Sequence, residues 1–167
     1  MYSRLVMRRA GALLLGECSA YAKIEGDISH RELNGLAAFF TLDNGVLVVT
    51  EVRGLPTFET QCERGIFAMH IHGGGSCTGP SDDPFKDALM HYNPSDCRHP
   101  NHAGDLPPLF SNDGFAFSAV YTERFTVSEI IGRTVVIHAA PDDFMTDPSG
   151  NSGARIGCGV IWRGYTK

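Results

Sequence analysis

Nowhere do the 167 residues run to the roughly 18 consecutive apolar positions that a bilayer-spanning helix needs, so no segment reads as a membrane span. Positive charge is also scarce. Fourteen Lys and Arg against nineteen Asp and Glu leave a net charge of -5, which argues against a broad nucleic-acid-binding face. No internal repeat and no low-complexity tract appears, so neither a solenoid nor a long linker is expected. A sustained 3.6-residue amphipathic period is missing too, which counts against a helical bundle. Cysteine is limited to five residues, and an odd number leaves at least one unpaired or bonded between chains.

What remains is a chain long enough for one domain with a sizeable core, 43% hydrophobic, built of short β-forming runs between glycine-rich turns. Residues 21–26 read as a first strand. Residues 35–42 and 46–52 read as a hairpin around Asp43-Asn44-Gly45, a strong turn signal between β-formers. An apolar run leads into His70-Ile71-His72, residues 114–121 return to strand composition, and 126–131 suggest a short helical turn. Residues 133–138 form a β-branched strand ending in His138, and 156–162 form a last strand. This pattern describes an all-β antiparallel sandwich or barrel.

Two irregular loops, 73–109 and 139–154, are long for a compact domain, and loops of that length usually carry function. At the N-terminus, Arg4, Arg8 and Arg9 precede the apolar run Ala10 to Gly16 and then Cys18-Ser19-Ala20, as in an export signal. Glu17 interrupts that pattern and stands where a lipoprotein signal wants a small residue. The other reading is an N-terminal arm of a cytoplasmic protein, and the balance tips slightly towards it. Either way residues 1–18 stand apart from a domain over 19–167.

The chemistry lies in the histidines. Two residues apart on a strand, His70 and His72 put both imidazoles on one face, where neutral nitrogens suit copper or zinc. A lone His-x-His is a weak signal, since two surface histidines give the same spelling. The first long loop, however, adds His91, His99, His102 and Asp105. Three imidazoles and one carboxylate complete a closed tetrahedral site, the geometry zinc prefers in a structural role. His70, His72 and His138, all from strands, could meet on one face and hold a second metal with an open position.

Taken together, His70-Ile71-His72, His91-Tyr92-Asn93-Pro94, His102-Ala103-Gly104-Asp105-Leu106, the run Gly132 to His138 and the run Gly153 to Val160 resemble the copper–zinc superoxide dismutases, in their bacterial type. The likeness runs from about residue 19 to residue 162. It implies a Greek-key β-barrel of about eight strands and an enzyme that disproportionates superoxide. It further implies copper held by His70, His72, His91 and His138, and zinc held by His91, His99, His102 and Asp105, with His91 the bridge between the metals. By the same resemblance Asp142 orients one histidine of each site, Arg155 guides superoxide, and Cys77 and Cys158 form the disulfide that anchors the first loop.

The chain departs from the commoner family pattern in three places. Only Pro100 and Asn101 separate the last two zinc-site histidines. The 139–154 loop has no lysine, which thins the usual basic contribution to steering. Cys18, Cys62 and Cys97 have no counterpart, and whether Cys62 pairs with Cys97 stays open. The expected partners are superoxide as substrate and at most a second copy of the chain, as monomer or homodimer. A copper-buffering protein of the same fold is the alternative, but such proteins favour soft thiolate or thioether ligands over imidazole. A zinc-only relative would lack the copper histidines, which are all present here.

Overall fold

The computed structural model describes residues 18–58, 60 and 65–164. The basic N-terminal stretch and Cys62 lie outside the described residues. Nine strands follow in chain order: β1 (Ala20–Gly26), β2 (Asn34–Leu42), β3 (Gly45–Arg53), β4 (Ile66–Phe67), β5 (Met69–His72), β6 (Leu109–Phe110), β7 (Ala116–Thr122), β8 (Thr134–His138) and β9 (Arg155–Arg163). A 3-10 turn (Lys86–Ala88) and one four-residue helix, α1 (Val127–Ile130), are the helical elements among the described residues.

Alternation makes the sheet. In β1 Ala20, Ala22 and Ile24 are buried while Lys23 and Glu25 are not, as a half-buried strand requires. Register carries that inner face across the sheet: Ala20 pairs with Phe39, Phe39 with Val48, and Val48 with Val120. The two-residue turn Asp43–Asn44 closes the β2–β3 hairpin with Leu42 opposite Gly45, as its composition suggests. Fully buried Phe39, Phe67, Ile71, Ile137 and Ile161 fill the single large core, each worth about 1.5–3 kcal/mol of burial.

Seven strands form one antiparallel sheet in the order β5-β8-β9-β1-β2-β3-β7, with β4 and β6 paired beside it. This is the Greek-key β-barrel class expected from the sequence. The strand count is nine against an expected eight because Ala68 interrupts the run leading to the histidines. There the Ala68 N–H donates to Ala140 O (2.9 Å) and the His138 N–H donates to Ala68 O (2.9 Å), so the chain changes partners between β4 and β5. The expected helical turn at 126–131 is α1, entered where Glu129 accepts a hydrogen bond from the Thr126 N–H at 2.6 Å.

β5 is an end strand, and the first long loop covers it. The Cys77–Cys158 disulfide, with Cα atoms 5.6 Å apart, ties that loop to β9 across a sequence separation of 81. Phe85, Ala88 and Val136 pack around the bond as a second small core. Of the other cysteines, Cys18 is a buried free thiol, pushed up in pKa by burial, and Cys97 is exposed and free. Cys77→Ser should lower the unfolding free energy of the metal-free protein by about 4 kcal/mol, the chain-entropy value for a loop of this size. Urea melts under oxidising conditions check this, and a variant as stable as the parent contradicts it.

Candidate metal centre

The centre is assembled on one edge of the barrel. His70 and His72 share a face of β5, and the β5–β8 register sets Val136 opposite His70 and Thr134 opposite His72. His138, two residues beyond Val136, therefore lies on the same face, reached through a register shift at Ile137/His138. Two short segments of the first loop complete the edge. Tyr92 N–H donates to Ile71 O (2.8 Å), Ile71 N–H to Gly104 O (2.9 Å), and Gly104 N–H to Tyr92 O (2.8 Å). Glycine is required at 104, because a side chain there would strike the Ile71 carbonyl. Backbone bridges between His72 and His91 and between His70 and Asp105 result, so the sheet edge itself places loop residues 91 and 105 beside the strand histidines.

Two ligand groups emerge. The donor atoms of His70, His72, His91 and His138 lie within 4.8 Å of one another, as do those of His91, His99, His102 and Asp105, and all seven residues are buried. The seven candidate ligands named from the sequence fall into these two groups, and Asp142 bonds one histidine from each side, His70 and His99.

The outward nitrogens fix the tautomers. His72 Nδ1 lies 2.8 Å from Leu89 O and His138 Nδ1 lies 3.2 Å from Gly153 O. A carbonyl only accepts, so both Nδ1 atoms carry the proton and both Nε2 atoms present lone pairs. Those Nε2 atoms stand 3.2 Å apart, a repulsive arrangement unless a cation lies between them. The Asp142 carboxylate accepts from His70 Nε2 (2.7 Å) and His99 Nε2 (2.8 Å), turning both Nδ1 atoms inward. Gly150, at φ +67°, leaves room for this, since a side-chain carbon would collide with Asp142 and the His99 ring.

His70 Nδ1, His91 Nε2 and His99 Nδ1 are fully buried without a hydrogen-bond partner. His99 Nδ1 does lie 3.2 Å from Asp105 Oδ2, but without forming a hydrogen bond. Three orphaned nitrogens at one place are costly to bury unless a metal ion engages them. His91 differs from the rest. Its Nδ1 faces Asp105 Oδ1 (2.8 Å) and His102 Nδ1 (3.4 Å), while its Nε2 faces the other group. Imidazole, carboxylate and burial of this kind fit copper in the first group and zinc in the second.

Burial is the main influence on the imidazoles. It pushes His138 down to about 3, with the nearby His70 adding to the effect, and it lowers His72 and His91 as well. Burial works against ionising Asp142, but hydrogen bonds from His70, the Phe144 N–H and His99 outweigh it and hold the carboxyl well below its usual range. Asp105 is lowered likewise, its burial being outweighed by His91 and its neighbours.

A pocket of about 330 Å3 opens onto the first group, lined by His72, His91, His138, Asp82, Asp83 and Arg155. Arg155 stands where the sequence placed it, yet not as a free cation. Its Nη1 donates to Asp83 Oδ1 (3.1 Å) and Oδ2 (2.9 Å), and its Nη2 donates to Leu89 O (3.0 Å). The Leu89 carbonyl therefore serves His72 and Arg155 together. To do so Leu89 adopts φ +63° and ψ -149°, a region that costs an L-residue about 1–3 kcal/mol.

Sequence reasoning missed Asp83, the Leu89 carbonyl and Arg124. Arg124 Nη1 donates to Pro100 O (3.0 Å), His102 O (3.2 Å) and Asp105 O (3.4 Å), bracing the segment that carries His99, His102 and Asp105 of the second group. None of these had a motif to announce it.

Comparison with known proteins gives a concordant result. The family model described as copper/zinc superoxide dismutase matches residues 33–161. The chain is 34% identical to superoxide dismutase [Cu-Zn] 2 of Aquifex aeolicus over 91% of its own length and 95% of that protein's. It is 34% identical to a superoxide dismutase [Cu-Zn] of Deinococcus radiodurans, covering 78% of each chain. A third relative, the superoxide dismutase [Cu-Zn] of Caulobacter vibrioides, is 33% identical over 71% of this chain and 72% of its own.

The depressed imidazoles make a pH prediction with a definite sign. His138 titrates at about 3 when folded and about 6.5 when exposed, so between those values the unfolded chain binds more protons. The His138 contribution to the stability of the metal-free protein should therefore be full above pH 6.5 and fall towards pH 3, with a slope of at most about 1.4 kcal/mol per pH unit, and the lowered His72 and His91 act in the same direction. The lowered Asp142 and Asp105 act in the same direction as the acid range is reached. Thermal melts across that range check it, and a melting temperature that rises on acidification contradicts it.

Proposed function

The chain belongs to the copper/zinc superoxide dismutase family, and from that premise we propose how its own residues divide the work. It is an oxidoreductase that takes two superoxide anions and two protons to dioxygen and hydrogen peroxide, with copper and zinc as cofactors. Copper supplies the one-electron redox step, and zinc supplies a fixed, redox-inert positive charge.

In this reading His70, His72, His91 and His138 hold copper, and His91, His99, His102 and Asp105 hold zinc. The observation that supports it is His91, the one residue common to both groups, with each ring nitrogen turned towards a different one. His91 is among the residues lining the pocket and its buried Nε2 has no protein partner, so that nitrogen can take up a proton and deliver it to reduced substrate. Its Nδ1 stays directed at the Asp105 side and keeps the ring in place while that proton comes and goes. Asp142 holds His70 and His99 in the tautomers that point Nδ1 inward, which couples the two sites mechanically. Arg155, on the pocket wall, orients the anion at the mouth. In this reading the catalytic domain spans 19–167 and the segment before it is an arm whose last residue, Cys18, is already packed into the fold, and the working unit is a monomer or a homodimer. No helix among the described residues is long and apolar enough to cross a membrane.

His138 belongs to the first group alone and Asp105 to the second alone, which separates the two assignments. His138→Ala should retain zinc and the fold but lose copper and dismutase activity. Asp105→Ala should weaken zinc binding by more than the roughly 10- to 100-fold that loss of a partner behind the ligands costs, and should loosen the 73–109 loop, because metal binding and loop ordering share one free energy. Metal analysis with superoxide-consumption assays checks both. Full activity in the first variant, or unchanged zinc affinity in the second, removes the corresponding assignment.

A further inference from the structure

Arg155 is the only lysine or arginine among the described residues lining the pocket, and two carboxylates, Asp82 and Asp83, line it with Arg155. Both Asp83 oxygens lie within 3.1 Å of the same Arg155 nitrogen, while the opposite guanidinium nitrogen is committed to Leu89 O. Phe85 O accepts a further contact from Nη1 at 3.4 Å. The Arg155 side chain is 17% exposed and that of Asp83 is 40% exposed, so solvent screens the pair only in part and the pair faces the pocket as a dipole. A dipole's field falls faster with distance than a charge's, and an approaching anion meets Asp82 as well. The polypeptide itself carries -5, so its net charge adds no attraction to that of the metal site.

From this we infer that Asp83 is a positioning residue with a regulatory charge: it clamps the Arg155 guanidinium to the pocket wall and cancels most of its pull on superoxide. The enzyme's capture rate is therefore set by the charge of the metal site and the pocket's shape rather than by Arg155, and it depends only weakly on salt. Asp83 comes from the disulfide-anchored loop, 72 residues away in sequence, so the same loop that presents His91 also sets the charge at the mouth.

The inference rests on the pocket being the superoxide channel, and the test has an arm that does not. Asp83→Asn keeps an acceptor for Arg155 and removes the charge. In the fully metallated protein, the parent rate constant should stay nearly flat with ionic strength. That of Asp83→Asn should rise about three- to fivefold near ~10 mM salt and converge on the parent as screening sets in. Asp83→Asn combined with Arg155→Ile should lose the gain. In zinc-loaded, copper-free protein, inorganic phosphate should bind Asp83→Asn about fivefold more tightly than the parent by calorimetry, and the double variant should bind no better than the parent. Asp83→Ser serves if the amide variant folds poorly, since it removes the same charge. An unchanged or slower rate with an unchanged salt slope and phosphate affinity overturns the inference and leaves Asp83 a brace. A parent without dismutase activity would sink the reading of the pocket, while the phosphate arm would still decide the role of Asp83.

Discussion

Everything in this molecule is arranged around one imidazole that is common to two clusters of ligating side chains. His91 is buried, its Nε2 has no hydrogen-bond acceptor or donor, and its Nδ1 meets only Asp105 and another ring. A buried ring with one unpartnered nitrogen is expensive in a metal-free interior, and a metal ion engaging that nitrogen would offset the cost. The surrounding structure makes that expense tolerable. The loop carrying His91 is zipped to the free edge of β5, disulfide-bonded to β9, and braced by Arg155 contacts to Phe85 and Leu89 carbonyls.

The outer contacts share a logic. Each strand histidine of the first group is oriented by an acceptor on a loop: His70 by Asp142, His72 by Leu89, His138 by Gly153. The barrel supplies rigid positions and the loops supply tautomer control, so neither part makes the site alone. The strain at Leu89 fits the same account, because its unusual backbone is what lets one carbonyl face both His72 and Arg155. Asp142 does for the two groups what Leu89 does for ligand and substrate side, joining two functions through one acceptor group.

The candidate ligands that the structure clusters were legible in the sequence because few side chains offer a neutral nitrogen, and the His70-x-His72 spacing states its face. The strands were legible because inward and outward residues alternate, as in β1 and β3. What escaped acts through the backbone or across long separations. The Leu89 carbonyl would be the same for any residue, and only its positive φ marks it, a quantity no leucine announces. Asp83 is one of many loop carboxylates until Arg155 is brought to it. The break at Ala68 was hidden because a run of apolar residues says nothing about a change of partner strand.

The central claim is that His91 joins two metal sites of different composition. Crystals of the copper- and zinc-loaded protein, measured at the absorption edge of each metal, test it most directly. The account predicts two separate ions. Copper should lie about 2 Å from His70 Nδ1 and from Nε2 of His72, His91 and His138, with zinc about 2 Å from Nδ1 of His91, His99 and His102 and from an Asp105 oxygen. A single ion, or two ions with His91 bound to only one or neither of them in the oxidised protein, would contradict it.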